Sequence, residues 1–235
     1  FGPLFGAAAA AGALAGLDAD KIRYILSYTA QQAAGVETWA RDKEHVEKAF
    51  DFGGMPARNG VTAATLAQIG CTGVEDVFAG ERNFLSIYSP RPEPEAFIKD
   101  LGTTFEVVNT SIKRWSVGSP IQAALDSLAA IISAHKIGAD DVEKLTVTVN
   151  AVGARTVNDR GIPDINIQHL LSVMLIDGTV TFASSHDEAR MHDPRVLQLK
   201  NRIELKGRED FEHPRQGMIE IVTRDGRDLK HHTKA

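Results

Sequence analysis

Cysteine is almost absent from the sequence: Cys71 is the single one in 235 residues. That excludes an internal disulfide and any cysteine-rich zinc site, and it makes a reduced, cytoplasmic setting the default expectation. A basic surplus is lacking as well. Lys and Arg number 26 against 31 Asp and Glu, a formal charge of -5. This argues against a nucleic-acid partner while leaving room for a local basic pocket. There is no long apolar run either. Residues 1–17, FGPLFGAAAAAGALAGL, are uncharged but mostly Ala and Gly, and they stop at Asp18 and Asp20. A membrane span needs about 20 strongly apolar residues, and a signal peptide needs a charged start that is not here. No G-K-[ST] phosphate loop, G-x-S-x-G elbow or G-x-G-x-x-G fingerprint occurs.

What is present falls into two patterns. The first third reads as helices. Residues 1–17 suit a tightly packed, buried core helix already under way at Phe1. Asp18 can cap a helix from Ala19 to about Ala34, with Gly35 as its stop. GGMPARNG, residues 53–60, suggests a turn leading into a helix that carries the apolar residues Val61, Ala64, Leu66, Ala67 and Ile69 and ends at Gly70. A short helix is expected from Val74 to Ala79. SPRPEPE, residues 89–95, holds three prolines and fits neither a helix nor a central strand. It divides the chain into a helical domain, 1–88, and a second domain, 96–235.

In the second part Thr104–Val108 reads as a strand, and Pro120–His135 as an amphipathic helix. Leu145–Val149 alternates at period two, which is strand patterning. Ile167–Asp177 is a helix closed by Gly178, and Asp193-Pro194 caps and starts another. Strands are expected at Arg202–Leu205, Met218–Thr223 and Asp228–His231, the last two joined at Asp225-Gly226. The fold class is therefore α+β. Both chain ends are expected to be those of a fragment.

Two segments carry candidate chemistry. In GGMPARNG, Gly54 lets the backbone approach a ligand, and Arg58 lies in the first turns of the following helix. A helix N-terminus with an Arg suits a carboxylate or phosphate; a tight packing turn with a surface Arg is the competing account. In Ser111-Ile112-Lys113-Arg114-Trp115 two cations precede a helix start. Lys113 can pair with an acidic substrate or take part in proton transfer; an exposed Lys–Arg pair over Trp115 is the alternative. The eight histidines are scattered. His186 and His192 are six apart and do not share a helical face, so a metal site there is disfavoured. His169, on an apolar helix, is expected to be a satisfied core or interface histidine. Cys71 is expected to be buried and inert.

FGAAAAAGALAGLD, GGMPARNGVTAATLAQIGCTG, IKRWSVGSPIQAALDSL and HDPRVLQLKNRIEL occur in that order, with a helix ending at Asp177-Gly178 before the last. This order resembles the MmgE/PrpD family, which includes 2-methylcitrate dehydratase, cis-aconitate decarboxylase and iminodisuccinate epimerase. The resemblance covers nearly the whole chain. It implies an all-helical domain followed by a smaller α/β lid-like domain, a homodimer, a small carboxylate as substrate, and neither a metal nor an organic cofactor.

The resemblance also implies upstream helices bearing an acidic segment and active-site histidines, one of them just before the position of Phe1. Lys113 matches the lysine that opens the lid-domain motif and is the expected catalytic cation. A second family lysine lies five positions before the glycine matching Gly54; that position is Ala49 here, and Lys48, the nearest lysine, is the second expected catalytic residue. Ser119 and Gln122 stand where many relatives have Arg and His. The function implied is a lyase, hydro-lyase first, that abstracts a proton next to a carboxylate of a di- or tricarboxylate. Gly54 and Arg58 are the expected substrate-binding residues. An epimerase using the same abstraction, or a non-catalytic binding or oligomerisation module on the same fold, are the alternatives.

Overall fold

In the computed structural model, residues 1–42, 46–211 and 213–234 are described. His45 therefore lies outside the described residues. The chain divides into two compact units, Phe1–Thr110 and Ser111–Ala235. Among the described residues the first contains helices and no strand, and the second holds all of the sheet. Residues 89–95 fall inside the first unit.

The first unit is built on α1 (Gly2–Leu14), α2 (Ala19–Gln31) and α4 (Met55–Gln68), with α3 (Glu47–Ala49) a single turn and α5 (Phe84–Tyr88) a short helix. Asp18 caps α2, its carboxylate accepting from the Lys21 N–H at 2.9 Å. Helix α1 is not buried all round, contrary to what its composition suggests. Leu4, Ala8 and Gly12 form its buried stripe, while Leu14 is 90% exposed. The inward face of α4 is made of its small residues rather than its bulky apolar ones. Gly60, Ala63, Ala64 and Ala67 are buried, and Val61 and Ile69 point out. Small residues win this face because α1 crosses α4 with its backbone almost in contact. A Cβ on Gly60 would lie 2.5 Å from the Leu4 carbonyl oxygen. Ala8, Ile25, Ala63, Ala64 and Ala67 make the resulting core.

No helix forms at Val74–Ala79. There Asp76 Oδ1 accepts from the Phe78 and Ala79 N–H groups, at 3.0 and 3.1 Å. Such a side-chain turn competes with the helix for the same donors. The helix comes later, at α5, where Asn83 Oδ1 caps the Ser86 N–H at 2.9 Å. The expected strand at Thr104–Val108 is likewise absent. Glu106–Asn109 is a 3₁₀ turn, and Phe105, Val107 and Val108 are exposed. A strand needs a neighbour to satisfy its backbone, and the residues of this stretch pair with none of the sheet strands.

The second unit is a four-stranded sheet in the order β2-β1-β3-β4: β1 (Val142–Asn150), β2 (Ile203–Arg208), β3 (Gly217–Thr223) and β4 (Asp228–Thr233). β1 runs parallel to β2 and antiparallel to β3. The β3–β4 hairpin turns at Asp225-Gly226, with Gly226 at φ +82°. Helices α6 (Gln122–His135), α7 (Ala151–Val157), α8 (Ile167–Asp177), α9 (Phe182–Ser185) and α10 (Pro194–Lys200) complete it. Leu125, Leu128 and Ile131 of α6, Leu170, Leu171 and Met174 of α8, and Val147, Ile219 and Ile221 of the sheet fill one core. Gly178 ends α8 in the left-handed region at φ +75°, and Asp193 caps α10 through the Arg195 N–H at 2.8 Å.

Candidate functional site

In the first unit Lys48, Gly54 and Arg58 share one continuous helical stretch. The segment Phe50–Gly54 is a π-helical turn that joins α3 to α4, and the Met55 N–H bonds the Phe50 carbonyl. Gly54 is in helical conformation, at φ -64°. The chain therefore does not turn into a fresh helix at GGMPARNG, and no free helix N-terminus lies there to attract an anion. The reason is local: a π-turn accommodates one extra residue without opening the ladder.

Arg58 is exposed, donates to Asn59 Oδ1 from Nε and Nη2 at 3.2 and 3.0 Å, and lies 6.0 Å from the Phe50 ring. The Lys48 ammonium is 5.0 Å from the Trp39 ring centre and 5.5 Å from that of Phe52. Both rings line a cavity of about 460 Å³ whose wall also carries Gln32, Asn59 and the carboxylates of Glu37, Glu47 and Asp51. Three carboxylates make that wall unsuited to an anion. Cys71 is half-buried.

In the second unit Lys113 lies on a strap of irregular backbone, residues 111–118, ahead of α6. Lys113 itself is exposed. The residues after it are held firmly. Trp115 is buried, its indole N–H donates to Asp126 Oδ1 at 3.0 Å, and Arg114 pairs with the same oxygen at 3.0 Å. The Arg114 guanidinium also stands 4.8 Å over the indole ring. Gln122 grips the strap with both ends of its amide. Oε1 accepts from the Trp115 N–H at 3.1 Å, and Nε2 lies 2.8 Å from the Trp115 carbonyl and 3.3 Å from that of Val117. The Gly118 N–H donates to the Asp164 carbonyl at 2.8 Å. Lys113 is thus an exposed cation on a held base, a geometry suited to an incoming carboxylate.

Gln122→Leu removes the clamp and leaves the Trp115 N–H and the Val117 carbonyl without it, while the Trp115 carbonyl keeps the Val117 N–H. The expected cost is about 1–3 kcal/mol, the usual penalty for unsatisfied polar groups. Hydrogen exchange at Trp115 and Val117 should rise while exchange in the first unit stays unchanged.

A second group stands beside the strap, around His186, which the sequence offered only as half of a disfavoured metal pair with His192. Ser185 Oγ lies 3.3 Å from the Ser116 carbonyl and 2.9 Å from His186 Nδ1. His186 Nδ1 is also 2.9 Å from the Phe182 carbonyl, and the imidazole stacks on the Phe182 ring at 4.4 Å. A carbonyl only accepts, so this contact favours the proton on Nδ1 and leaves Nε2 as the basic face. His186 is exposed.

His169 is buried as expected, but it is not satisfied. Its Nε2 has no hydrogen-bond partner. Burial above all, and then the charges of Arg190 and Lys200, push its pKa down to about 4, with Asp187 opposing. Among the described residues no three of His, Cys, Asp and Glu gather in a way that would hold a metal ion. Nor is any described helix long and apolar enough to cross a membrane.

Comparison with protein families adds to this geometry. Residues 3–96 match the MmgE/PrpD N-terminal domain, and residues 115–235 match the MmgE/PrpD C-terminal domain. The chain belongs to the MmgE/PrpD family. The two matches fall in the two units, the second beginning at Trp115 on the strap. The family is one of lyase-type, dehydratase-like enzymes. No curated protein matches the sequence closely enough to name a substrate.

Proposed function

We propose that this chain belongs to a hydro-lyase acting on a small di- or tricarboxylate of the 2-methylcitrate kind, functioning as a homodimer. The observation that carries it is Lys113: an exposed ammonium, on a strap clamped by Gln122, in a chain matched along both of its units by a lyase-type family. Lys113 pairs with a substrate carboxylate and stabilises the negative charge that builds up when the neighbouring C–H loses its proton. The electron pair of that bond forms the new double bond, and the hydroxyl on the next carbon leaves as water with a proton from an acid. His186, exposed and next to the Ser185 that contacts the strap, supplies an imidazole able to carry a proton in such a step. In the first unit Lys48 is the second candidate catalytic lysine and Arg58 contributes by its charge alone, while Gly54, inside a continuous helical stretch, offers no anion site.

The test is turnover by the full-length protein, followed by the absorbance of the new double bond. Lys113→Ala is expected to lower turnover roughly a hundredfold, the scale of one positioned charge-stabilising group, with thermal unfolding unchanged. Near-normal turnover in that variant would remove Lys113 from the mechanism. Deuterium uptake from solvent with inversion, and no loss of water, would instead indicate an epimerase. Substrate binding with neither exchange nor turnover would indicate a non-catalytic module.

A further inference from the structure

We propose that the second unit carries a separate binding site for a small multivalent oxyanion, at the end of its sheet opposite the Lys113 strap. Arg195, Arg202 and Arg224 converge with Gln198 and Asp140 on a cleft of about 210 Å³. Three elements bring them together. Arg195 and Gln198 come from α10, Arg202 from the turn into β2, and Arg224 from the start of the β3–β4 turn. The sheet register fixes the meeting point. Arg202 donates from Nη1 to the Val142 carbonyl at 3.0 Å, and the Arg224 N–H donates to the Asp141 carbonyl at 2.8 Å. The two anchors are neighbours, Asp141 just ahead of β1 and Val142 at its first position. The strap lies at the other end of β1, where Gly153 of α7 packs on Pro120 and Gly217 packs on Ala123 and Ala124. Nine residues of strand separate the two ends, roughly 25 Å at strand rise.

The charge of the cleft is unbalanced. Three guanidinium groups face one lining carboxylate, Asp140, which is 95% exposed and 3.8 Å from Arg195 Nη2. An exposed pair of that length contributes little. Among the described residues the Arg224 guanidinium has no hydrogen bond or ion pair. Like charges held in a polar concavity repel one another, and an anion that bridges them relieves the repulsion. Forked guanidinium donors match the oxygens of a phosphate or a carboxylate. The volume is small, so the ligand is a compact ion between phosphate and citrate in size, bearing two or more negative charges.

The test is calorimetric titration of the full chain in low-chloride buffer with inorganic phosphate and, separately, with citrate. Saturable binding of at least one anion is expected. The double substitution Arg195→Ala, Arg224→Ala should weaken it at least tenfold. Both arginines are exposed, so the fold should survive, as an unchanged melting temperature without anion will show. Lys113→Ala should change the phosphate affinity less than twofold, whereas any citrate held at the strap is lost in that variant and is not counted to this cleft. Phosphate alone binding identifies a phosphate-bearing ligand, citrate alone a carboxylate, and both a site that reads charge. The proposal is overturned if neither anion binds saturably, if the double variant binds as the parent does, or if Lys113→Ala abolishes all anion binding.

Discussion

Gly60→Val is expected to destabilise the helical unit by about 3 kcal/mol or more, the upper part of the range for overpacking. A bare Cβ at this position would already lie 2.5 Å from the Leu4 carbonyl oxygen, 2.7 Å from the Ala8 nitrogen and 2.9 Å from the Ala7 Cβ. Two of those neighbours are backbone and have no rotamer with which to retreat, so α1 and α4 must separate. Separation opens the contacts of Ala8, Ala63, Ala64 and Ala67, which make up most of this small core. Intrinsic helix preference works in the opposite direction, since Gly in a helix interior is about 1 kcal/mol worse than Ala. Gly6→Ala separates the two effects. A Cβ there meets nothing within 4 Å, so only the helix preference changes, and a gain of up to about 1 kcal/mol is expected. Urea unfolding followed by helical circular dichroism checks both. A Gly60 variant as stable as the parent would show that the α1–α4 crossing is looser than these distances.

The same crossing explains why hydropathy misplaces the inward face of α4. Val61, Leu66 and Ile69 are the bulky apolar residues of that helix, and hydropathy alone turns them to the core. Close approach of another backbone selects instead for Gly60 and its alanine neighbours, and nothing in a single helix reveals what it packs against. Thr104–Val108 departs from expectation for a related reason: its residue types favour a strand, but no strand is available to pair with it. In the second unit the local signals and the tertiary fold agree. Leu145–Val149 alternates because β1 is the inner strand between β2 and β3, with Leu145, Val147 and Val149 all buried. Asp193-Pro194 and Asp225-Gly226 act within a few residues of themselves, so they can be read without the rest of the chain.

The candidate site is legible in its charges and not in its supports. Lys113 and Arg114 stand out in the sequence as adjacent cations before a helix. That Gln122 grips the backbone of residues 115–117 depends on how the chain folds back at Gly118, where the Asp164 carbonyl takes the N–H. In the sequence Gln122 is noticeable only as a departure from the family pattern. His186 is hidden more deeply, because its orientation comes from the Phe182 carbonyl and ring, and its link to the strap from a serine 69 residues away from Ser116.

Acidification is expected to remove roughly 3 kcal/mol of stability from the second unit between pH 6.5 and pH 4, through His169 alone. The imidazole is buried on α8, its Nε2 faces no acceptor, and Arg190 and Lys200 add positive potential. Asp187 draws the other way but is the weaker influence. Arg190 is itself held by Asp177, and Lys200 by Asp159. The folded-state pKa is about 4 against an ordinary value of 6.5. Above pH 6.5 the ring is neutral in both states, and the unit has its full stability. Below 6.5 the unfolded chain takes up a proton that the folded chain refuses, so stability falls by about 1.4 kcal/mol per pH unit. The loss is complete near pH 4, where the folded form begins to protonate as well. His169→Leu removes the effect, and because Nε2 makes no hydrogen bond, it should cost little at pH 8. Urea unfolding from pH 8 to pH 4, read by Trp115 fluorescence in a Trp39→Phe background, compares the two proteins. The parent should lose stability more steeply than His169→Leu within that window, and parallel curves would mean that His169 is reached by water or by an acceptor in solution. His232, whose pKa burial also lowers, is present in both proteins and cancels in the comparison.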